Sequence, residues 1–569
     1  MKNLLVIAIL GIAWVNLVSM GVFAETEIVN LPINNDVVPI EAEDIEIGSP
    51  DIGLDTDAAN LAAQPEGENR NTIRSEENWD IQFWGNVSSI GGFFWTMLVA
   101  IFGGIVWIIT RKPCRMFIWK VLKFLHIAGK NERKRAEYNE VVRSYKFENW
   151  QYTVLKNLYC QSDIQGEYGE GNVCCEVFKH HFLVVCHEAT EKANTLYTTD
   201  TTDTTECDLT QHLDLGNPEK HTETLKIARR YERGFKQVSG NWATRPKSYG
   251  FMLKSLIIED KKMTGFTAYP GTYWENVLST YVLNYELFLK YKNRFTRGKL
   301  EKAKKPEEIL GCLPLRKKIH EGIDRKQWFR SGANRFSLLG VQALIIYRDF
   351  NKNYHILLGL RSDKMVYPYC LQFPPSGGFE VYESEGRKGD VNIKGQFLPQ
   401  LALYRELLEE VFNEKNAVAV ETEENKGKRD GKSYIENHTI IRNFKELLKP
   451  EDPTEIPKAS FEFLGAVTDM ASLKTELCFL IHIYDDGTFM RLSTEKGLCE
   501  EEFEEAHEIK IEELDDFVEK YTPPGSSHLA SVRQDNMFVP TSAALYYLVK
   551  KSDTYKKIMA EIAGQVGQS

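Results

Sequence analysis

The chain has no surplus of positive charge. Across 569 residues, 81 acidic side chains face 70 basic ones, for a formal net charge of −11. A general nucleic-acid binder draws its affinity from neutralising phosphates with a basic face. That class is excluded, and beyond residue 130 no basic stripe interleaved with aromatics reopens it. Cysteine is sparse and unevenly placed: ten residues, all between Cys114 and Cys499. That distribution suits a reducing compartment for the large C-terminal part. Cys174-Cys175, His180-His181 and Cys186-His187 are residue types that hold zinc, but their spacing is not that of a ribbon or finger, and KHHFLVVCHE reads as a strand. Long uncharged apolar runs are confined to the first 110 residues.

Those runs set the organisation of the N-terminal part. Lys2, the apolar stretch LLVIAILGIAWVNLVSMGVF and the small-residue end at Ala24 read as a signal peptide or signal anchor over residues 1–24. Residues 25–89 form an acidic exoplasmic spacer: from Glu25 to Asp80 there are fifteen acidic residues and two arginines, a composition that favours a solvated chain. Residues 90–110 contain IGGFFWTMLVAIFGGIVWII, which is uncharged and long enough to cross a bilayer as a helix. Arg111, Lys112, Arg115, Lys120 and Lys123 follow it, so the positive-inside rule puts everything beyond Arg111 in the cytoplasm. Residues 111–145 are a basic juxtamembrane segment, in which MFIWKVLKFLHIAG reads as lying along anionic headgroups. The prediction is a single-pass cell-membrane protein with the lipid bilayer as a partner.

The remaining length and the 43% apolar content allow two or three cores. Residues 146–300 read as a companion α+β domain with a low-complexity loop, TTDTTDTTEC. A helix is expected from Thr272 to Asn293, where Trp274, Val277, Leu278, Tyr281, Tyr285 and Phe288 recur at helical spacing; such a stripe is core, not a cofactor site. Residues 301–334 are a linker, and 335–569 the C-terminal domain.

The stretch from Phe373 to Asn413 organises that domain. FPPSGGFE is followed, after an interruption, by LALYRELLEEVFN. With Glu406 at 0° and about 100° per residue, Glu409 and Glu410 fall at about 300° and 40°, opposite Leu401, Tyr404, Leu408 and Val411. Carboxylates at these spacings repel one another and need either bulk water or a cation. Oxygen ligands packed in this way suit Mg²⁺ or Mn²⁺. A solvated surface is the plain alternative for any Glu-rich helix. Upstream, LGVQALIIYR and YHILLGLRS read as strands joined by a polar turn from Asp349 to Asn353, and LQFPPSGG brings Gly377 and Gly378 to the helix approach. Downstream, FEFLGAVTDM and ELCFLIHIY read as two further strands.

This succession resembles the Nudix hydrolase family, whose motif runs Gly, five residues, Glu, seven residues, then Arg-Glu-apolar-any-Glu-Glu-any-Gly-apolar. Gly378 matches its opening Gly, and Arg405-Glu406-Leu407-Leu408-Glu409-Glu410-Val411 its helix core. Three departures stand out. The Glu position counted from Gly378 is Ser384, flanked by Glu383 and Glu385; about twelve extra residues, GRKGDVNIKGQF, precede the helix; and Phe412-Asn413 replaces the final Gly-apolar pair. Asn413 is still able to close the helix, because Asn tolerates the left-handed conformation.

The resemblance implies an α/β fold: a Nudix-type α/β/α sandwich with a mixed sheet at the C-terminus, preceded by the companion domain and a single transmembrane helix. It implies a Mg²⁺ (or Mn²⁺) cofactor held by Glu406, Glu409 and Glu410. Glu409, Glu410, Arg405 and Glu385 are then catalytic, Gly377 and Gly378 substrate-binding, and Glu504 and Glu505 further candidates near the end of the fold. The implied activity is cleavage of a phosphoanhydride bond in a nucleoside diphosphate linked to another group. The alternative is a weak or inactive nucleotide-sensing module coupled to the membrane, as in bacterial nucleotide-signalling antiviral defence. Both imply a nucleotide as small-molecule partner.

Overall fold

A computed structural model of the chain describes residues 130–569, leaving out 170, 199–210, 216–220, 240–248, 363–364, 368, 382–392, 415–434, 450–456, 485–486, 488, 490–497, 501, 522–537 and 567–569. The expected signal segment, spacer, membrane span and most of the basic segment lie outside the described residues. So do Glu383, Ser384 and Glu385, most of the TTDTTDTTEC loop and the charged loop 421–432. Among the described residues no helix is long and apolar enough to cross a membrane. All of them belong to one compact unit.

The helices that carry the argument are α1 (Lys130–Val142), α2 (Tyr145–Tyr159), α3 (Thr222–Ser239), α4 (Tyr273–Ser279), α5 (Tyr281–Lys292), α6 (Pro314–His320), α7 (Pro399–Glu406), α8 (Thr439–Leu447), α9 (Pro540–Lys551) and α10 (Asp553–Val566). The strands are β1 (Val184–Glu188), β2 (Tyr249–Glu259), β3 (Lys262–Thr272), β4 (Gly340–Arg348), β5 (Tyr354–Arg361), β6 (Ser376–Gly378), β7 (Ala459–Asp469), β8 (Thr475–Ile483) and β9 (Phe503–Lys510). The four strands expected around the acidic stretch are all present, as β4, β5, β7 and β8.

A mixed sheet in the order β9-β5-β4-β8-β7-β1 forms the centre. The β4–β8 pair is parallel, Leu344 opposite Leu480, and the other pairs in this order are antiparallel. Both faces are covered, which is why LGVQALIIYR is apolar without alternation. Val341, Ala343, Ile345 and Tyr347 meet Leu401 and Leu408 of the acidic stretch and Ile441 and Phe444 of α8. Leu344 and Ile346 pack on the other face with Ala543, Leu545 and Leu548 of α9. Helices therefore lie on both sides of a mixed sheet, as the α/β/α expectation requires.

Residues 146–300 pack on the same cores. KHHFLVVCHE is not the single strand expected: Lys179 lies in a turn at φ +61°, His180–His181 pairs with Glu176–Val177 in a separate two-stranded sheet, and only Val184–Glu188, β1, adds to the central sheet beside β7. β2 and β3 form a hairpin closed by Asp260 and Lys261, both at positive φ (48° and 65°), the conformation a two-residue hairpin turn requires. Phe251 of this hairpin donates its N–H to Phe379 O at 2.9 Å, which fixes the residue next to Gly378. The helix expected from Thr272 to Asn293 is instead two, α4 and α5. The Thr280 hydroxyl donates back to Asn276 O at 2.7 Å and ends the first helix, since such side chains compete with the backbone ladder. The aromatic stripe is nevertheless core: Val277, Leu278, Tyr285 and Phe288 are buried.

Arg316 of α6 is fully buried and ties the helical layer to the β7–β8 turn. It donates to Tyr159 Oη and Met470 O, both at 2.8 Å, and to Ala471 O at 2.6 Å. Glu286, also buried, accepts the backbone N–H groups of Leu315 and Arg316 at 2.8 and 3.3 Å. Cys160 and Cys174 form a disulfide, a pair the sequence reading did not single out. Cys175, Cys186, Cys312, Cys370, Cys478 and Cys499 are free.

Candidate functional site

The acidic stretch begins as α7, with Pro399 in its first turn, a position where the missing N–H costs nothing. It does not continue as the regular helix the 100° wheel assumes. Residues Leu407–Val411 form a π-turn, closed by Phe412 N–H to Leu407 O at 3.2 Å. Single π-turns of this kind are concentrated at functional sites. Asn413 then takes φ +50°, the left-handed closing conformation anticipated for it.

The plain reading of a solvated Glu face fails for two of the three carboxylates. Glu406 and Glu410 are buried, with Glu410 at 1% exposure, while the Glu409 side chain is about one-third exposed at 34%. Buried carboxylates are costly unless they are paired or coordinate a cation. Glu410 Oε2 accepts the Ser376 N–H at 2.7 Å, and its Oε1 is buried without a donor. Glu406 is held by Arg405. Arg405 also donates to Gly378 O at 2.9 Å and lies 3.7 Å from Glu380 and 4.0 Å from Glu409.

β6 sets the floor of this site. It pairs with β4, Val341 opposite Gly377 and Gly340 opposite Gly378. A Cβ at Gly377 would stand 2.0 Å from the Glu406 carboxyl carbon, so the close approach expected of this glycine is present and its partner is Glu406. Behind β6, Gln372 links Arg361 to the Ser376 hydroxyl, which fixes the strand whose N–H meets Glu410.

A fourth carboxylate, Glu502, completes the cluster. It lies within hydrogen-bonding reach of Glu410 and also acts on Glu406. Burial lifts Glu406 to about 8; Arg405 opposes the rise, while Glu409 and Glu502 add to it. Burial and then Glu502 push Glu410 well above the usual carboxylate range. Glu502 was not among the residues expected from the sequence, which pointed to Glu504 and Glu505. Glu505 instead meets Tyr521 Oη at 3.2 Å and His507 at 3.5 Å. The signal that singles out Glu502 is its place just before Phe503, the first buried residue of β9.

Among the described residues no three His, Cys, Asp or Glu side chains stand in a ready metal-ligand arrangement. The donor chemistry nonetheless fits a hard dication. Glu406, Glu410 and Glu502 supply carboxylate oxygens, and the buried Glu410 Oε1 lacks a partner. Comparison with known proteins finds no matching family model and no matching curated sequence.

Proposed function

We propose that the chain is a membrane-anchored, Mg²⁺-dependent hydrolase of the Nudix type, cleaving a phosphoanhydride bond in a nucleoside diphosphate linked to another group. The observation that carries this reading is the burial of Glu406 and Glu410 beside β6, where Ser376 N–H meets Glu410 and Gly377 faces Glu406, with the partly exposed Glu502 within reach of Glu410. A folded protein tolerates such crowding where a cation is to be bound. Glu406, Glu410 and Glu502 would hold the ion, with Glu409 at the exposed edge. When bound, Mg²⁺ supplies charge neutralisation at the phosphoryl oxygens and a lowered pKa for an attacking water. Arg405 orients the carboxylates by its contacts to Glu406, Glu409 and Gly378 O. Glu409, the most exposed of the helix carboxylates at 34%, would accept a proton from water. Gly377 leaves room for the Glu406 carboxyl.

Purified protein should release products from a panel of diphosphate-linked nucleotides with Mg²⁺ or Mn²⁺. Glu410→Gln should lower turnover far more than nucleotide binding, because the interaction lost is one made in the transition state. Absence of turnover across the panel overturns the hydrolase reading. A second reading, a nucleotide-sensing module coupled to the membrane, is favoured by the engagement of Glu406 with Arg405 and of Glu410 with Ser376. Saturable nucleotide binding without turnover would select it.

A further inference from the structure

One surface reverses the balance of this acidic chain. α3 is amphipathic: Thr224, Ala228, Phe235 and Val238 are buried on one side, while Lys226, Arg229, Arg230, Arg233 and Lys236 are exposed. At about 100° per residue these five cations fall within about 120° of one another. Carboxylates of the same helix occupy only the two ends of the stripe, Glu223 at 3.9 Å from Lys226 and Glu232 at 2.6 Å from Lys236. Among the described residues no carboxylate pairs with Arg229, Arg230 or Arg233. Arg233 stands three and four residues from the other two, spacings at which like charges on a helix repel. An anionic surface laid along the stripe relieves that repulsion.

The course of the chain points to which surface. α1 packs beside α3, with Lys134 donating to Gln237 Oε1 at 2.5 Å. Only nineteen residues, 111–129, separate α1 from the uncharged run 90–109; five of them are cationic and none is acidic. Such a tether reaches about 28 Å as a helix and about 65 Å fully extended. Basic charge is therefore continuous from the end of the expected span to the face of α3. The stripe carries no exposed aromatic on which a base could stack, since Tyr231 turns inward to Glu286 at 3.1 Å; this favours lipid over single-stranded nucleic acid.

We propose that the face of α3 formed by Lys226, Arg229, Arg230 and Arg233 docks on the headgroups of an anionic bilayer, so that the C-terminal body lies against the membrane that anchors it. The assignment rests on the membrane-anchored part of the reading above and uses none of the acidic site.

The test places the full chain in lipid nanodiscs of phosphatidylcholine, alone or mixed with phosphatidylglycerol. Phenylglyoxal then modifies its arginines and acetic anhydride its lysines, and peptide mass spectrometry reads the rates. Each cation held at an anionic surface contributes about fivefold to binding. Arg229, Arg230 and Arg233 should react about fivefold or more slowly in the anionic discs, and high salt should abolish the difference. Arg442, exposed on α8, should react alike in both. Arg229→Gln, Arg230→Gln and Arg233→Gln together should remove the protection of Lys226 and leave the unfolding midpoint in place or higher, since like-charge repulsion is relieved. Equal rates in the two lipids, protection of Lys226 that survives the triple change, or protection by added single-stranded RNA in place of anionic lipid would each overturn the assignment. Flotation with phosphatidylcholine vesicles in high salt reports the anchor separately. A chain that floats without lipid-dependent protection refutes the docking face alone; one that does not float refutes the anchor, and the same footprint on added anionic vesicles then decides the face.

Discussion

Replacing Gly377 by Ala tests the geometry of the acidic site directly. The added Cβ would stand 2.0 Å from Glu406 Cδ and 2.1 and 2.3 Å from its two oxygens, so something must move. The far end of a flexible side chain usually can. This one cannot do so cheaply, because the Glu406 side chain is only 7% exposed and is clamped by Arg405, itself anchored on Gly378 O at 2.9 Å. Overpacking of this kind costs about 1–3 kcal/mol. Gly377 is not among the glycines at positive φ, so without the clash Ala would stabilise by about 0.4–1 kcal/mol through the unfolded chain. The two effects give a net loss of about 1–2 kcal/mol in the parent and a small gain when Glu406 is already Ala. The coupling between the two positions is therefore about 2 kcal/mol. Urea unfolding of the four proteins of the cycle, followed by tryptophan fluorescence, measures it. Equal cost of Gly377→Ala in both backgrounds would refute the close approach.

Other perturbations address the charges. Burial raises Glu406 from 4.5 to about 8, so the folded state holds the proton more tightly; metal-free stability is full below the unfolded pKa and falls as pH rises toward 8. Between pH 5 and 7 the loss should be on the order of 2–3 kcal/mol, and Glu406→Gln should flatten it; a parent protein equally stable at both pH values contradicts this. Glu409→Gln with Glu410→Gln should lower Mg²⁺ affinity steeply by calorimetry and leave folding unharmed or improved, since like-charge repulsion is relieved. Unchanged affinity would make the cluster purely structural. Arg316→Ala strips Tyr159, Met470 and Ala471 of their donor and should destabilise by about 3–5 kcal/mol. A loss below about 1 kcal/mol on urea titration would show those contacts to be replaceable.

The strands around the acidic stretch were legible because their apolar runs are bounded by turn residues, and Asn413 because few residues besides Gly accept its conformation. What the sequence concealed depends on contacts distant along the chain. A helical wheel assumes one spacing throughout, so it misses the π-turn, which places Glu410 on the Ser376 N–H. It also registers Thr280 as one more position in an unbroken pattern, although that hydroxyl ends α4. Glu502 sits in the run CEEEF, where neighbouring acidic residues look alike. Cys499, which donates its N–H to Glu410 O at 2.9 Å, brings it to the cluster.

The pairing of β1 with β7 also orders events during synthesis. Glu188 finds its partner Gly465 only after roughly 280 further residues have left the ribosome, a wait of roughly 15–60 s at ordinary elongation rates. During that interval β1 has no neighbour in the central sheet, and open strand edges invite pairing with other chains. The reverse holds for a fragment cut at residue 335: β7 would then display an uncovered edge over Gly465–Asp469, five of its eleven residues, ready to pair with a second copy. The 146–300 segment thus acts as an intramolecular guard for the sheet that carries the acidic site.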